Sequence, residues 1–446
     1  MKNIKLKPVQ VLAIGFFTII MLGTIVLCLP ICSKTGQWTS FFDSMFTSTS
    51  ATCVTGLVVH DTGSYWSSFG QLVILLLIQI GGIGFMTIAT LFSIAFGKKI
   101  SLKQKGVLQE SVNIDHPGGI IGLTKRIIKG TILIELIGAV VLAVRFSFDF
   151  GVLKGIYYGV FHSISAFCNA GFDLFGADFG KYSSLTHYKS DITVNLTISA
   201  LIIIGGIGFL VWSDLVKHKF NFKKYSLHSK IVLCVTLFLL IAGTISFFVI
   251  ETLPGRLLEN EGSLSKLLQS FFQSVTTRTA GFNTCDIGKL DTGSKLISVI
   301  LMFIGGSPGS TAGGIKTTTF FVIILSFIAT FKGTPDLNIF KRRLEPDATR
   351  KALAVFFVNF SLAMVVTVVI SICHNFDLGD VLIETFSAVD TVGITAGITR
   401  SLNGVEKFLL MILMYCGRVG SLSFAISFAK SKVYMLRRPE SKISIG

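Results

Sequence analysis

The sequence has few charged residues: Asp, Glu, Lys and Arg make up 14% of its 446 residues, whereas 51% are hydrophobic. With a mean hydropathy of +0.72, the chain has more apolar side chains than one water-soluble core can bury. Its eight cysteines form no CxxC pair, which argues against a disulfide framework or a zinc site. The seven histidines are scattered singly. No cluster of His, Cys or carboxylate groups indicates an enzyme, and the composition indicates an integral membrane protein.

Long apolar runs predict an all-α membrane protein with eight transmembrane helices. Each run has the roughly 20 residues that a helix needs to cross about 30 Å of hydrocarbon. The runs are residues 9–29, 69–96, 125–144, 192–212, 229–250, 294–331, 351–373 and 406–429. The first follows three lysines but lacks a small-residue cleavage site, so we interpret it as a retained helix rather than a signal peptide.

Taken in chain order, the eight runs form four successive pairs. Between the two runs of each pair lies a segment that is too short to span a bilayer. These segments suit re-entrant half-helices, and they are residues 41–51, 155–167, 265–277 and 379–389. Each is followed, four or five residues after its end, by a glycine: Gly56, Gly171, Gly281 and Gly393. The sequence therefore predicts four pseudo-symmetric repeats of helix, half-helix with pore loop, and helix, with boundaries at 1–98, 99–217, 218–332 and 333–446.

A fourfold repeat around glycine can build a ring, and a ring of backbone carbonyls in a membrane can act as an ion selectivity filter. A chain that points successive carbonyls at one ion needs backbone angles that glycine adopts at low cost. Each half-helix would also direct the partial negative charge of its C-terminal end toward a cation in this central pore. The predicted filter consists of Val54, Thr55, Gly56, Asn169, Ala170, Gly171, Thr279, Ala280, Gly281, Thr391, Val392 and Gly393.

The third repeat departs from this pattern. Its second apolar run, 294–331, is too long for one straight span, and residues 305–314 contain five glycines and one proline. No continuous helix tolerates this composition, and broken backbone at membrane depth occurs only where it lines water or is buried in protein. We predict an intramembrane gate below the filter, and the alternative is a packing kink. The predicted gate consists of Gly305, Gly306, Ser307, Pro308, Gly309, Ser310, Thr311, Ala312, Gly313, Gly314, Lys316 and Arg418.

Four charged residues near these segments need partners or water. A basic residue at bilayer depth costs about 2.5–3.5 kcal/mol, so Arg418 should have one or the other. Lys316 either adds to an electrostatic barrier or simply ends the loop. Arg278 and Asp390 stand three residues before their glycines in adjacent repeats. Either they pair behind the filter, or Asp390 points outward into solvent.

The charges are distributed unevenly along the chain, whose net charge is +16. Most Lys and Arg residues lie in the two terminal segments and in the links between repeats, which the positive-inside rule makes cytoplasmic. Most acidic residues lie in the half-helix loops, where they would attract cations. Topology accounts for the net charge, so no nucleic-acid partner is predicted. All four repeats then point the same way, which favours a pore over the alternative, a secondary cation-coupled transporter with inverted repeats and a broken-helix site at the midplane.

Two segments resemble the superfamily of Trk, Ktr and HKT potassium transporters. Residues 277–283 and 305–317 are similar to the third-repeat signatures of that superfamily, and the start close to the first repeat is similar to the bacterial Ktr-type membrane subunit. In the superfamily, glycine at all four filter positions goes with potassium, so Gly56 implies potassium. Arg418 resembles a pore-facing basic residue of the fourth repeat, and the superfamily has a gating loop in the third.

The resemblance implies potassium uptake across the bacterial plasma membrane, with potassium held by filter carbonyls and no cofactor in this chain. Sodium as an activating ion, and the choice between a gated channel and a sodium-coupled carrier, stay open. It further implies a homodimer that is seated on a separate cytosolic nucleotide-binding regulatory ring.

Overall fold

Helices make up most of the described chain in a computed structural model, which describes residues 7–84, 87, 106–109, 120–219, 221–334, 336–345 and 347–420. In the first half the helices are α1 (Pro8–Cys28), α2 (Phe41–Cys53), α3 (Thr62–Tyr65), α4 (Ser68–Ile83), α5 (Ile120–Phe150), α6 (Val152–Phe167), α7 (Ile192–Gly206) and α8 (Phe209–His218). In the second half they are α9 (Leu227–Glu251), α10 (Ser263–Thr276), α11 (Thr292–Phe303), α12 (Thr317–Phe331), α13 (Ala348–Cys373), α14 (Leu378–Val389) and α15 (Gly404–Val419). A small antiparallel sheet pairs β1 (Asn338–Ile339) with β2 (Arg342–Arg343).

Four of these helices, α1, α5, α9 and α13, are long and apolar enough to cross a bilayer. Each begins one of the four predicted repeats. Each carries large apolar side chains that no other described residue covers, such as Phe17, Leu136, Phe238 and Val365. Exposed apolar surface of this kind suits contact with lipid, so the prediction of a mostly helical membrane protein is confirmed. The count of eight spans stays a prediction.

The four predicted half-helices correspond to α2, α6, α10 and α14. In the first three repeats, a serine of the half-helix donates a hydrogen bond to a backbone carbonyl of the repeat's first helix, where a glycine permits close approach. These contacts join Ser48 to Ile20 (2.7 Å, beside Gly23), Ser163 to Glu135 (2.6 Å, beside Gly138) and Ser274 to Leu240 (2.9 Å, beside Gly243). In the fourth, the hydroxyls of Thr367 and Thr385 lie 2.7 Å apart. The half-helices are thus fixed at equivalent heights.

The second helices end or break at equivalent glycines. Helix α4 ends before Gly84 (φ +86°) and α15 ends before Gly420 (φ +94°). At Gly208 (φ +95°) the chain turns, so α8 leaves α7 at 98°. The apolar run predicted over 192–212 is therefore bent rather than straight, because glycine takes a positive φ there that ends a right-handed helix, and whether the bent pair forms one span stays a prediction. In the third repeat, α11 and α12 are separated by the predicted irregular segment.

Candidate ion site

The glycines that follow the four half-helices, called here the glycine ring, are adjacent in cyclic order. A Cβ placed on Gly56 would lie 3.3 Å from the Cα of Gly171, and one on Gly171 would lie 2.8 Å from the Cα of Gly281. A Cβ on Gly281 would lie 3.2 Å from the Cα of Gly393, and one on Gly393 would lie 2.9 Å from the Cα of Gly56. Four segments far apart in sequence thus close one ring, with no room for a side chain between neighbours.

The backbone of each wall, meaning the three residues that end in a ring glycine, follows one repeated pattern. The glycine has a positive φ of between +70° and +99°, and so does the residue two places before it. These preceding residues are Val54 (φ +60°), Asn169 (+60°), Thr279 (+67°) and Thr391 (+51°). Successive residues of an extended strand face opposite ways. The positive φ at the first and third residues of each wall cancels this alternation. Successive carbonyls of a wall can therefore face the same side of the chain.

The middle carbonyl of each wall lies against the ring glycine of an adjacent wall. A Cβ on Gly171 would lie 2.8 Å from the carbonyl oxygen of Ala280, and one on Gly281 would lie 2.7 Å from that of Val392. Cβ atoms on Gly56 and Gly393 would overlap the carbonyl oxygens of Ala170 and Thr55. Only glycine fits at the ring positions because each faces a neighbouring carbonyl.

The half-helices hold the ring from behind. The middle N–H groups of the walls donate back to the half-helices, from Thr55 to Ser50, Ala170 to Ser165, Ala280 to Thr276 and Val392 to Ser387, at 2.8–3.0 Å. In the first and fourth repeats, the hydroxyls of Ser50 and Ser387 also accept from the ring glycine N–H groups, at 3.0 and 2.9 Å. With these N–H groups satisfied, the carbonyl oxygens remain free to face the ring.

All four ring glycines line a cavity of about 570 Å³. Its walls also carry carboxylates and basic groups: Asp61, Asp173, Glu261, Asp286, Lys181, Lys189 and Arg400. Lys189 pairs with Glu261, and the guanidinium of Arg400 lies 3.9 Å from the ring centre of Tyr182. Burial, together with the neighbouring charge of Asp61, raises the pKa of Asp173 to about 7. Asp173 is therefore a titratable carboxyl two residues beyond Gly171.

Residues 305–316, called here the glycine loop, lie at the opposite end of the walls from the cavity. The loop contacts residues that precede the ring glycines. The hydroxyl of Thr311 donates to the backbone oxygen of Phe167 (3.1 Å) and to Oδ1 of Asn169 (3.2 Å). A Cβ on Gly313 would overlap the hydroxyl of Thr391. The loop is thus packed directly beneath the second and fourth walls.

The break between α7 and α8 supplies the backbone partners of the glycine loop. Ser307 N–H donates to Gly206 (3.0 Å), Thr311 N–H donates to Gly205 (3.3 Å), and Phe209 N–H donates to Gly309 (2.8 Å). Unpaired backbone groups at membrane depth cost free energy. The two broken segments therefore satisfy one another, which explains why the second repeat is interrupted as well as the third.

Arg418 joins the loop to another helix. Its guanidinium donates to the carbonyl oxygens of Thr311 in the loop and of Gly81 and Gly82 (3.1 Å) at the end of α4. The partners expected for this half-buried cation are therefore backbone carbonyls. Lys316 is the residue before α12, and its ammonium donates to Ala312 (2.9 Å) and Gly313 (3.2 Å) within the loop. It thus ends the loop and holds its own turn together.

Neither expectation for Arg278 and Asp390 is correct. Both residues are described, and no ion pair joins them. Asp390 is fully buried rather than solvated. A Cβ placed on Gly314 would lie 3.2 Å from its Oδ1, so the carboxyl faces the glycine loop. Sequence spacing could not reveal this contact, because the loop comes from a different repeat.

Sequence reasoning also missed a polar pair behind the second wall. Gln79 of α4 donates to both carboxyl oxygens of Glu135 in α5, at 3.1 Å each. The thiol of Cys168, the residue before Asn169, lies 3.6 Å from Oε1 of Gln79. A lone acidic residue in an otherwise apolar run was the signal that could have revealed this pair. Through Cys168, the Gln79–Glu135 pair supports the second wall from behind.

Backbone oxygens, rather than a cluster of ligating side chains, form the candidate site. Within the described ranges, no group of three or more His, Cys, Asp or Glu residues could hold a metal ion. All eight cysteines are described and are free thiols.

An apolar helical bundle that buries a carbonyl ring at the floor of a polar cavity defines a membrane transport protein. The family model of TrkH, described as a cation transport protein, matches residues 10–435. The chain belongs to this family, and the resemblance seen in the sequence is confirmed.

Known proteins are similar over the full length. The chain is 41% identical to the potassium/sodium uptake protein NtpJ of Enterococcus hirae, over 99% of this chain and 98% of that protein. It is 42% identical to the Ktr system potassium uptake protein B of Bacillus subtilis, over 100% and 98%. The fold is similar to that of the potassium transporter TrkH from Vibrio parahaemolyticus, with a TM-score of 0.71 at 16% identity, over 96% of this chain and 86% of that one.

Proposed function

We propose that this chain takes up potassium ions across the bacterial plasma membrane. The observation that carries this proposal is the cyclic contact of Gly56, Gly171, Gly281 and Gly393, in which each ring glycine lies against a carbonyl of an adjacent repeat. The names of the relatives, which refer to potassium or potassium/sodium uptake, support the choice of ion. The family consists of transport proteins rather than enzymes.

The glycine ring is the selectivity filter in this proposal. Carbonyl oxygens of the walls, including those of Thr55, Ala170, Ala280 and Val392, replace the hydration shell of a potassium ion. The four half-helices direct their negative ends toward the ion, and the acidic groups of the cavity raise the local cation concentration. Because each wall has one glycine, the filter is shorter and weaker than one made of four T-V-G-Y-G loops.

The glycine loop and Arg418 form the gate in this proposal. The loop fills the path beneath the ring, and its hydrogen bonds to Gly205, Gly206 and Phe209 fix it on one side. The guanidinium of Arg418 holds it on another side. Opening requires these contacts to break together, which suits a two-state element.

The topology in this proposal consists of eight spans in four repeats that end near residues 98, 217, 332 and 446, with both termini in the cytoplasm. Two copies form a homodimer, and a separate cytosolic nucleotide-binding ring regulates them, as expected for a Ktr-type subunit. The relatives named as Ktr system proteins support this assignment.

A second candidate is a secondary cation-coupled transporter with a broken-helix site at the midplane. The observation that favours it is the second break, at Gly208, which lies against the glycine loop. Paired broken helices are typical of such carriers. Sodium would then be a coupling or activating ion.

Uptake by the purified chain in proteoliposomes tests both candidates. A potassium pore should carry potassium down its gradient with no sodium present, and external sodium should at most change its rate. Potassium entry that is strictly proportional to sodium entry would support the carrier. Entry of neither ion into vesicles that hold folded protein would contradict both.

A further inference from the structure

An apolar groove opens on the outer surface of the second repeat, away from the ring. It has a volume of about 490 Å³ and lies between α5, α7 and α8. It exists because α8 turns away from α7 by 98°, which leaves the flank of α5 uncovered. Its walls include Leu133, Ile134, Ile204, Phe209 and Trp212, and Arg126 lies at its edge.

Arg126 is exposed and unpaired. It forms no hydrogen bond or ion pair with another described residue, and Lys125 and Lys129 beside it are also exposed. Asp214 of α8, the residue between the groove residues Ser213 and Leu215, has hydrogen-bond partners of its own: its Oδ2 accepts from the N–H of Ser226 (3.0 Å) and the hydroxyl of Ser229 (2.6 Å). Three positive charges therefore stand free at one end of the groove.

Along α5 the groove spans the change from basic to apolar residues, which is the change that a helix shows where it passes from lipid headgroups to acyl chains. Helix α5 has 31 residues, which is about 46 Å at 1.5 Å per residue and exceeds the roughly 30 Å of hydrocarbon. Its basic turn at 125–129 is near one end, and the apolar run follows directly. A ligand that fills this groove needs an acyl chain for the apolar walls and an anionic group for the basic edge.

We propose that this groove binds an anionic phospholipid, with one acyl chain against Trp212 and the phosphate beside Arg126. The proposal rests on charge complementarity and on the bilayer that surrounds the apolar helices. Basic pockets between membrane helices are typical sites for anionic lipid headgroups. The lipid proposal does not depend on which ion the protein transports.

Quenching of Trp212 fluorescence by brominated acyl chains tests the proposal. The chain has three tryptophans: Trp66 is fully buried and cannot contact lipid, whereas Trp38 is exposed. Trp38→Phe therefore makes Trp212 the lipid-accessible reporter. The full chain with this substitution is reconstituted in phosphatidylcholine vesicles, and the mole fraction of brominated phosphatidylglycerol is raised. A parallel series uses brominated phosphatidylcholine at constant total phosphatidylglycerol.

Half-maximal quenching should occur at about a fivefold lower mole fraction of brominated phosphatidylglycerol, the ratio expected when one basic residue contributes about 1 kcal/mol. Arg126→Gln should bring the two curves together, and Arg126→Lys, which keeps the charge, should keep them apart. Arg350→Gln is the matched control, because Arg350 is an exposed arginine in the first turn of α13. It should leave the curves separate.

Three results would overturn the proposal. The curves could coincide before any change at Arg126, which would mean that lipid enters without selection for charge. The separation could persist in Arg126→Gln, which would place the charge selection elsewhere. Neither lipid could quench Trp212, which would mean that a second copy of the chain or another protein covers the groove. A thermal melt of each variant in detergent verifies that it is folded.

Discussion

Arg418 holds the glycine loop to the rest of the molecule, so its removal should open the path beneath the ring. Its guanidinium joins the carbonyl of Thr311 in the loop to those of Gly81 and Gly82 in α4. A hydrogen bond from a charged donor contributes about 1.5–3 kcal/mol. Loss of the single bond to the loop should therefore raise the ratio of open to closed loop about tenfold or more.

The assay is initial potassium uptake by purified Arg418→Gln in proteoliposomes, at equal protein content. Glutamine is shorter and cannot reach both sides, so uptake should increase. Arg418→Lys keeps the charge but lacks the planar fork that serves separate carbonyls, so its uptake should be intermediate.

Lys316→Gln separates a hydrogen-bonded lock from an electrostatic barrier. It removes a positive charge near the same place, but the ammonium contacts only carbonyls of its own loop. If Arg418 acts as a lock, Arg418→Gln should raise uptake much more than Lys316→Gln does. Equal increases would mean that charge alone forms the barrier. Unchanged or lower uptake in folded Arg418→Gln would refute the reasoning.

Three further predictions concern the cavity, the ring support and the loop. Asp173 is charged above its pKa of about 7 and neutral below it, so potassium uptake at low concentration should fall as the pH decreases through 7, and Asp173→Asn should abolish that dependence. Glu135→Ala leaves the amide of Gln79 without its partner, so thermal unfolding in detergent should show that the free energy of unfolding falls by about 1–3 kcal/mol. Glu135→Gln should lower the free energy of unfolding by less. Equal decreases in the two variants would show that the hydrogen bonds to Gln79 add no stability. A Cβ on Gly313 would overlap the hydroxyl of Thr391 in the fourth wall, so Gly313→Ala should displace the loop and raise potassium uptake. The control Gly262→Ala adds its methyl group in open space and should leave uptake unchanged. A normal uptake rate in Gly313→Ala would contradict the packing of the loop against the walls.

The ring positions could be predicted from sequence because the requirement is local and repeated. A glycine after a half-helix was visible four times at one offset, and its positive φ is a backbone property that composition reveals. The left-handed angles at Val54, Asn169, Thr279 and Thr391 were not predicted, since no residue type among them requires such angles.

The contacts beneath the ring could not be predicted, because they join repeats that are distant in sequence. Arg418 was expected to need a partner, but its carbonyl partners lie more than one hundred residues away. Asp390 was expected either to pair with Arg278 or to point into solvent, whereas it is buried and faces the loop. The break at Gly208 had a sequence signal, the glycines at 205, 206 and 208, which the length of the apolar run concealed.

The central claim is that the glycine ring selects the ion, and the potassium-to-sodium uptake ratio of Gly393→Ser tests it most directly. Serine at this position would force its Cβ into the carbonyl oxygen of Thr55 and displace one of the oxygens that would hold the ion. Gly255→Ser is the matched control, because Gly255 has a similar positive φ of +77° in open space. The account predicts that the ratio falls on the order of tenfold in Gly393→Ser, as for the loss of about 1.4 kcal/mol, and is unchanged in Gly255→Ser. An unchanged ratio in folded Gly393→Ser would contradict it.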